Sequence, residues 1–518
     1  MPTLEADSSY QTKAERYLHH ALMQYQEELN NLTPERVGQF IMHHYIMQRP
    51  RLLNLDSYYK GINTKINSEA SRRIDEYGAD VRLGHPFAQE IVDFHTAFSV
   101  GNPIHISVDQ DHNGQEDEHQ QLDKINHENG VDSLFYDLFS DMSKYGRAFA
   151  NVYRDGDVEK ITRLSPTNTF MIYSNDVDPV PIMAVRYTEQ SKIDDNLDYQ
   201  QYVIETWTDS EYKISEPVAI ADGTVVNGYN VAKTDQLSTL PVVEFWNNTQ
   251  RMGDFDGVIS LIDAYDAAQS DTANYMQDSN DAMLVIKGDI DDLLDGADLA
   301  ADPDDKEYLE KLAKEKQGLV DSIRKSRTLF LKSGISGTGQ QTTVSADYIH
   351  KQYDTAGVEA YKNRLYKNIH SFSRTPDVSD ENFASNASGV AMQYKQLGVI
   401  QLAKAKRRSF SKGLSEIYGI VEDLEKAASG PWELDYQNIN FMFTDNLPTD
   451  DVATIQVLQQ SGAKFPHEYL DRYAPGIDTN ELETMREREN EPMNAMQDEM
   501  KRLQDKTTQL GDEEDDDE

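Results

Sequence analysis

Several stretches of the sequence carry side chains at spacings that could do chemistry. Asp109, Asp111, Asn113 and Gly114 follow the first half of a calcium-loop pattern, D-x-[DN]-x-[DN]-G, in which alternate oxygens surround a hard cation. The twelfth position is Gln120 where such a loop needs a bidentate Glu, and a strand precedes it where a helix belongs. A solvated acidic loop over 109–128 is therefore the expectation, with no metal. Gly334, Gly337 and Gly339 crowd into GISGTG, yet no Lys-[ST] follows, so the phosphate-cradling loop of nucleotide enzymes is absent. His19-His20 and His43-His44 are consecutive helical neighbours, which point apart and read as ordinary surface or core histidines. Neither H-E-x-x-H nor G-x-S-x-G occurs. The densest cationic group is Lys404, Lys406, Arg407, Arg408 and Lys412, suited to a phosphate or to a carboxylate-rich neighbour. The competing reading of that group is a solvated helix face. No catalytic constellation emerges, so neither an enzyme nor a cofactor is expected.

Composition narrows the classes further. The 518 residues suffice for about three or four domains. Hydrophobic residues make up 38%, enough for a folded core, and the 28 tyrosines suit surfaces buried on assembly. No cysteine is present, which excludes disulfides, thiolate metal sites and cysteine nucleophiles. With 91 acidic against 49 basic residues the formal charge is −42, so a broad basic face that reads DNA sequence is not expected. The N-terminus has no basic segment followed by an apolar one, and no apolar run approaches the roughly 18 residues of a membrane span. A soluble product, cytoplasmic where it is made and without a membrane partner, is expected.

The elements that must position these residues are mostly helical. Thr33-Pro34-Glu35 is a helix start, and Pro86 opens a helix bearing Phe87, Ile91, Phe94 and Phe98. A helix over 131–146 ends at Gly146. Short strands follow at 149–153, 160–164, 170–173, 184–187, 202–207, 212–214 and 242–246, separated by turn residues. Residues 254–281 read as a helix with seven Asp, and no Lys or Arg lies between Arg251 and Lys287. Strands at 283–286 and 329–331 flank a helix bearing Leu309, Leu312 and Leu319, a small α/β insert. Val358, Tyr361, Leu365, Ile369 and Phe372 stripe a second long helix, which Pro376 stops. Asn386 or Ser388 can cap a third helix reaching about residue 428, striped by Leu397, Phe410, Leu414, Ile417 and Val421. A strand at 439–443 and a helix capped near Pro448 come after, and the acidic end from Gly511 is expected to be disordered.

The stretch SRTPDVSDENFASNASGVAMQYKQLG, residues 373–398, resembles the portal proteins of tailed bacteriophages, in particular the large siphovirus-type family of phages of Gram-positive hosts. FAQEIVDFHTAFSVGNPIHI at 87–106, the helix–hairpin stretch 141–173, and LPVVEFWNN with the following helix at 240–278 match that family in the same order. The resemblance implies an α+β, mainly helical, ring-forming fold with wing, stem, clip and crown regions. By position, 1–253 is the wing, 254–282 the first stem helix, 283–342 the clip and 343–372 the second stem helix. The tunnel loop is 373–387, the long wing helix and return strand 388–446, the crown 447–500, and 501–518 a disordered acidic tail.

It also implies a function: a ring of about a dozen subunits at one capsid vertex, a conduit for packaging and ejecting DNA. Implied partners are other copies of the chain, duplex DNA, the large terminase subunit, head-completion or adaptor proteins, and capsid and scaffolding proteins. The location is the virion, reached from the host cytoplasm. DNA must slide through such a channel, so a few cations should offset the acidic ring without gripping phosphates. Candidates are Arg364, Lys367 and Arg374, with Ser385, Asn386 and Ser388 as small polar residues of the loop. The competing readings are solvated cations and helix caps. The 404–412 cluster is assigned to an acidic neighbouring subunit. The alternatives are another head–tail adaptor or ring-forming virion protein, and an acidic nucleotide-dependent enzyme.

Overall fold

The strand Thr169–Tyr173 (β5) is buried at every position, so both of its faces must be covered. Phe170 and Ile172 point to one side and Met171 and Tyr173 to the other, as alternation in a strand dictates. The computed structural model describes residues 13–69, 79–108, 115–156, 158–190, 201–220, 228–279, 283–288, 328–332, 345–349, 354–377, 389–428, 432 and 434–445. All of them belong to the first of two units of the chain, Met1–Asn446. Residues 109–114, the GISGTG glycines, the helix expected around Leu309, and Ser385, Asn386 and Ser388 lie outside the described residues. So do the proposed crown and the acidic tail.

The first strands and helices build a layered body. Strands β1 (Tyr25–Gln26), β5, β6 (Pro181–Glu189), β7 (Gln201–Trp207), β8 (Glu211–Ser215) and β10 (Val231–Gln236) lie in that order in one sheet, and β9 (Val218–Ala219) also pairs with β7. One face packs under helix α2 (Pro34–His43) through Phe40, Ile41, Phe170, Tyr187 and Tyr202. The other packs on a second sheet, β11 (Val242–Trp246), β3 (Arg147–Asp155) and β4 (Val158–Leu164), through Met171, Trp207, Phe149 and Val242. The far side of that second sheet meets helices α6 (Val131–Tyr145) and α9 (Gly389–Ala427) in the largest core, around Phe135, Phe139, Phe245 and Phe410.

Local chemistry sets the element ends. Thr33 Oγ1 accepts from the Arg36 N–H, as expected for the cap. A π-helical turn, His44–Gln48, joins α2 to α3 (Arg49–Tyr59), with Pro50 in the first turn of α3. Proline lacks the N–H of the α ladder and crowds the carbonyl four residues back, so the chain widens there. Gly146 closes α6 at φ 83°, and a Cβ there would overlap the Arg251 carbonyl.

Two expectations are corrected. The polar stretch read as a loop contains helix α5 (Gln115–Asn129), because Leu122 and Ile125 bury against the large core although the rest of that helix is hydrophilic. The second long helix begins at Thr355 rather than 343, capped by Asp354. Residues Ser345–Ile349 instead form a strand (β14) antiparallel to β12 (Met283–Gly288), which also pairs in parallel with β13 (Thr328–Lys332). Helix α8 (Thr355–Ser373) packs on α7 (Ile259–Ser279) and on α4 (Phe87–Val100) around Phe87, Tyr265, Tyr366 and Ile369. Strand β15 (Ile439–Met442) returns to pair with β2 (His105–Val108). The architecture is α+β.

Candidate functional site

Helix α8 buries Lys362, Leu365, Ile369 and His370 on one side, and that leaves Arg364 and Lys367 exposed on the other. No Asp or Glu occurs from Ala360 to Pro376, so this is a cationic edge in a chain of formal charge −42. Among the described residues neither Arg364 nor Lys367 has an ion-pair partner, whereas Lys362 is held by Glu359 at 2.5 Å and Gln269 at 2.7 Å. Arg374 ends the helix in the left-handed region, φ 58° and ψ 29°, and is exposed. Its neighbours Ser373 and Thr375 are both buried, and the Thr375 N–H donates to the His370 carbonyl at 3.0 Å.

The structure divides the 404–412 cluster by direction. Lys404, Arg408 and Lys412 are exposed, one helical turn apart, and of these Lys412 lies 3.9 Å from Glu416. Lys412 also borders a cleft of about 500 Å³ walled by Val180, Trp246 and Arg251. Lys406 and Arg407 turn inward and do not belong to a surface patch of this chain. Arg407 donates to the Ser99 carbonyl at 3.1 Å and to Asp445 at 2.5 Å. Lys406 donates to Asp254 at 2.6 Å and Ser143 at 2.5 Å, with Phe139 under its ammonium. A signal for this was present: positions 403, 406 and 407 continue the buried stripe of Phe410, Leu414 and Ile417 at helical steps.

Sequence reasoning also missed that the aspartates at the start of α7 face the chain's own core. Asp254 is held by Lys406, Asp256 by Arg51, Asp263 by Tyr58, and Asp266 by Asn63 and His85. Burial pushes the Asp254 carboxyl up, but Lys406, His95 and Ser143 outweigh it and hold the group below its ordinary range. Burial lowers the Lys406 ammonium despite Asp254. Asp256 and Asp266 are raised by burial, which their partners only partly offset. These carboxylates are thus committed inside the chain, and are not free to meet a neighbour.

A strap of extended chain fastens α7 as well. The N–H groups of Val81, Leu83 and His85 donate to Asn274 (2.6 Å), Ser270 (2.9 Å) and Asp266 (3.2 Å) respectively. Two extended residues advance about 6.7 Å and four helical residues about 6 Å, so the two repeats stay in step. Asn274 Nδ2 returns a bond to the Val81 carbonyl at 3.1 Å. Among the described residues no cluster of His, Asp or Glu could hold a metal ion, and no helix is long and apolar enough to cross a membrane.

Comparison with known proteins gives this geometry its context. The portal protein of Clostridium phage phiCD119 is 22% identical over 457 residues, covering 83% of this chain and 90% of that protein. A solved neck of an empty GTA particle, computed with C6 symmetry, aligns over 77% of this chain and 90% of its own at 13% identity, with a TM-score of 0.38. The family described as "Phage portal protein, SPP1 Gp6-like" matches residues 39–495, which begins within α2 and takes in every later element through β15. The chain belongs to that family of phage portal proteins.

Proposed function

We propose that this portal protein assembles into a ring of about twelve copies at one capsid vertex, and that duplex DNA passes through its centre during packaging and ejection. As a portal protein it is structural rather than enzymatic, so the motive force belongs to a terminase motor that docks on it. Helices α7 and α8 serve as the stem, the sheet β13-β12-β14 as part of the clip that meets the terminase and later the adaptor proteins, and residues 373–387 as the tunnel loop. The wing comprises the layered body with α9, whose exposed Lys404, Arg408 and Lys412 meet a neighbouring copy or a capsid or scaffolding protein.

The observation that carries the reading is the α8 edge. Arg364 and Lys367 are exposed cations with no carboxylate within four residues of either in the sequence, in a chain with 91 acidic against 49 basic residues. A duplex carries one phosphate charge per about 1.7 Å of its axis, and a few unpaired cations per subunit lower the electrostatic cost of passage without fixing the duplex in place. Ser385 and Asn386 in the proposed loop, and Ser388 at its edge, add polar contacts of the same non-gripping kind. The test is packaging by rings carrying Arg364→Gln and Lys367→Gln. Intact rings that package less DNA are expected, and intact rings that package normally would refute the channel-facing assignment.

A further inference from the structure

An L-residue with a side chain adopts the left-handed region at a cost that glycine avoids, and helices usually end on glycine for that reason. Helix α8 ends on Arg374 instead, at φ 58°. The residues on either side are locked. Ser373 and Thr375 are each 4% exposed, and the buried His95 of α4 reaches both. His95 Nε2 lies 3.0 Å from the Ser373 carbonyl, which can only accept, so this nitrogen carries the proton and also points it at Thr375 Oγ1, 3.3 Å away. Ser373 Oγ donates to the His370 carbonyl at 3.2 Å. Pro376 then restricts Thr375 from the other side. The backbone at Arg374 therefore has no slack, and its exposed guanidinium has only side-chain freedom. The helix dipole rewards a cation anywhere in the last turn, so it does not account for an arginine at the one position where glycine folds better.

We infer that Arg374 is a fixed cationic post for a DNA phosphate and that His95 is the positioning residue that sets its aim. The inference rests on the channel reading of α8. A loop-borne cation would follow the moving duplex, whereas a post on a clamped helix end meets each passing phosphate at one place. Exposed Arg364 and Lys367, about three and two turns further back, supply background charge rather than a fixed contact.

The test uses full-length rings in a packaging reaction, with ring formation seen by electron microscopy and thermal melting measured alongside. Arg374→Gly should form rings, melt higher than wild type and package severalfold less DNA. Arg374→Lys should melt like wild type and retain part of the packaging. His95→Leu should lower packaging with Arg374 intact, and His95→Gln, whose amide can still donate to the Ser373 carbonyl, should recover part of it. In a His95→Leu background the packaging penalty of Arg374→Gly should largely vanish, because the post is already unaimed. Arg374→Gly that fails to form rings, melts no higher or packages normally overturns the inference. So do His95→Leu rings that package normally; should His95→Leu not assemble, the Arg374→Gly and Arg374→Lys pair decides. If Arg364→Gln and Lys367→Gln lower packaging while Arg374→Gly does not, only the post is lost. If none of the three has an effect, the channel reading falls with it.

Discussion

Lys406 on α9 and Asp254 just before α7 are joined at 2.6 Å, with their side chains 1% and 3% exposed. The pair ties two elements far apart in sequence, and Ser143 of α6 donates to the same carboxylate oxygen at 2.5 Å. Breaking such a pair from one side leaves a buried charge unpaired and costs about 3–5 kcal/mol, whereas removing both charges can be nearly neutral. Lys406→Met should therefore unfold at markedly lower denaturant, and Lys406→Met with Asp254→Asn should recover most of the loss. Equal destabilisation by the single and double variants in chemical denaturation would show that the charge pair is not what holds this junction.

The strap over α7 should open locally without unfolding the body. Leu83 is 37% exposed, the strap's bonds to α7 end on side chains, and a cavity of about 290 Å³ lies beside them. Asn274→Ala removes two of these bonds, each worth about 1 kcal/mol. Hydrogen exchange of the Val81 and Leu83 amides should speed up by about tenfold or more, with little change in the melting of the layered core. Unchanged exchange at both amides would show that the strap is held by something other than the Asn274–Ser270–Asp266 ladder.

Two sets of buried groups should pull stability in opposite directions between about pH 4 and 7. Burial, then the charges of His20 and His19, lower His43 to about 4, and burial with Arg147 holds His44 well below its ordinary value. Unfolded, both take up protons near 6.5, so their contribution is complete above that pH and is lost as pH falls towards 4. On the other side, burial and then Glu425 raise Glu159 to about 7, and burial raises Asp141 to about 6. The folded state keeps these protons while the unfolded chain releases them in the ordinary carboxylate range, so their contribution declines as pH rises from about 4 to 7, across the same window in which the histidines gain theirs. Relative to wild type, the melting temperature of Glu159→Gln should therefore rise as pH goes from 4 to 7, and that of His43→Gln should fall. Differences from wild type that stay constant over that range would contradict the two assignments.

Much of this fold was legible because the chain is locally consistent. Helix α6 carries an apolar stripe and a glycine stop, the strands of the two sheets alternate or run apolar between turn residues, and Pro376 lies just beyond α8. What failed depended on partners far away in sequence. Helix α5 offers only Leu122 and Ile125 to the core, too little to separate it from a loop. Strand β14 exists through pairing with β12, which its own residues do not announce. In the site, Arg364 and Lys367 follow from their place near the end of the second long helix, although the expected stripe is shifted: Tyr361 and Phe372 are exposed, while Lys362 and His370 join Leu365 and Ile369 on the buried side. The inward turn of Lys406 and Arg407 was hidden because charge suggested surface, although their positions belonged to the buried stripe. The left-handed backbone of Arg374 had no signal beyond the following Thr-Pro.

The central claim is that α8 lines a channel through a ring, and one measurement addresses it directly: electron microscopy of the purified full-length protein at side-chain resolution. The account predicts closed rings of about twelve copies with Arg364 and Lys367 of every subunit on the inner wall. Monomers under every condition, or rings that carry this edge of α8 on their outer surface or in a subunit contact, would contradict it.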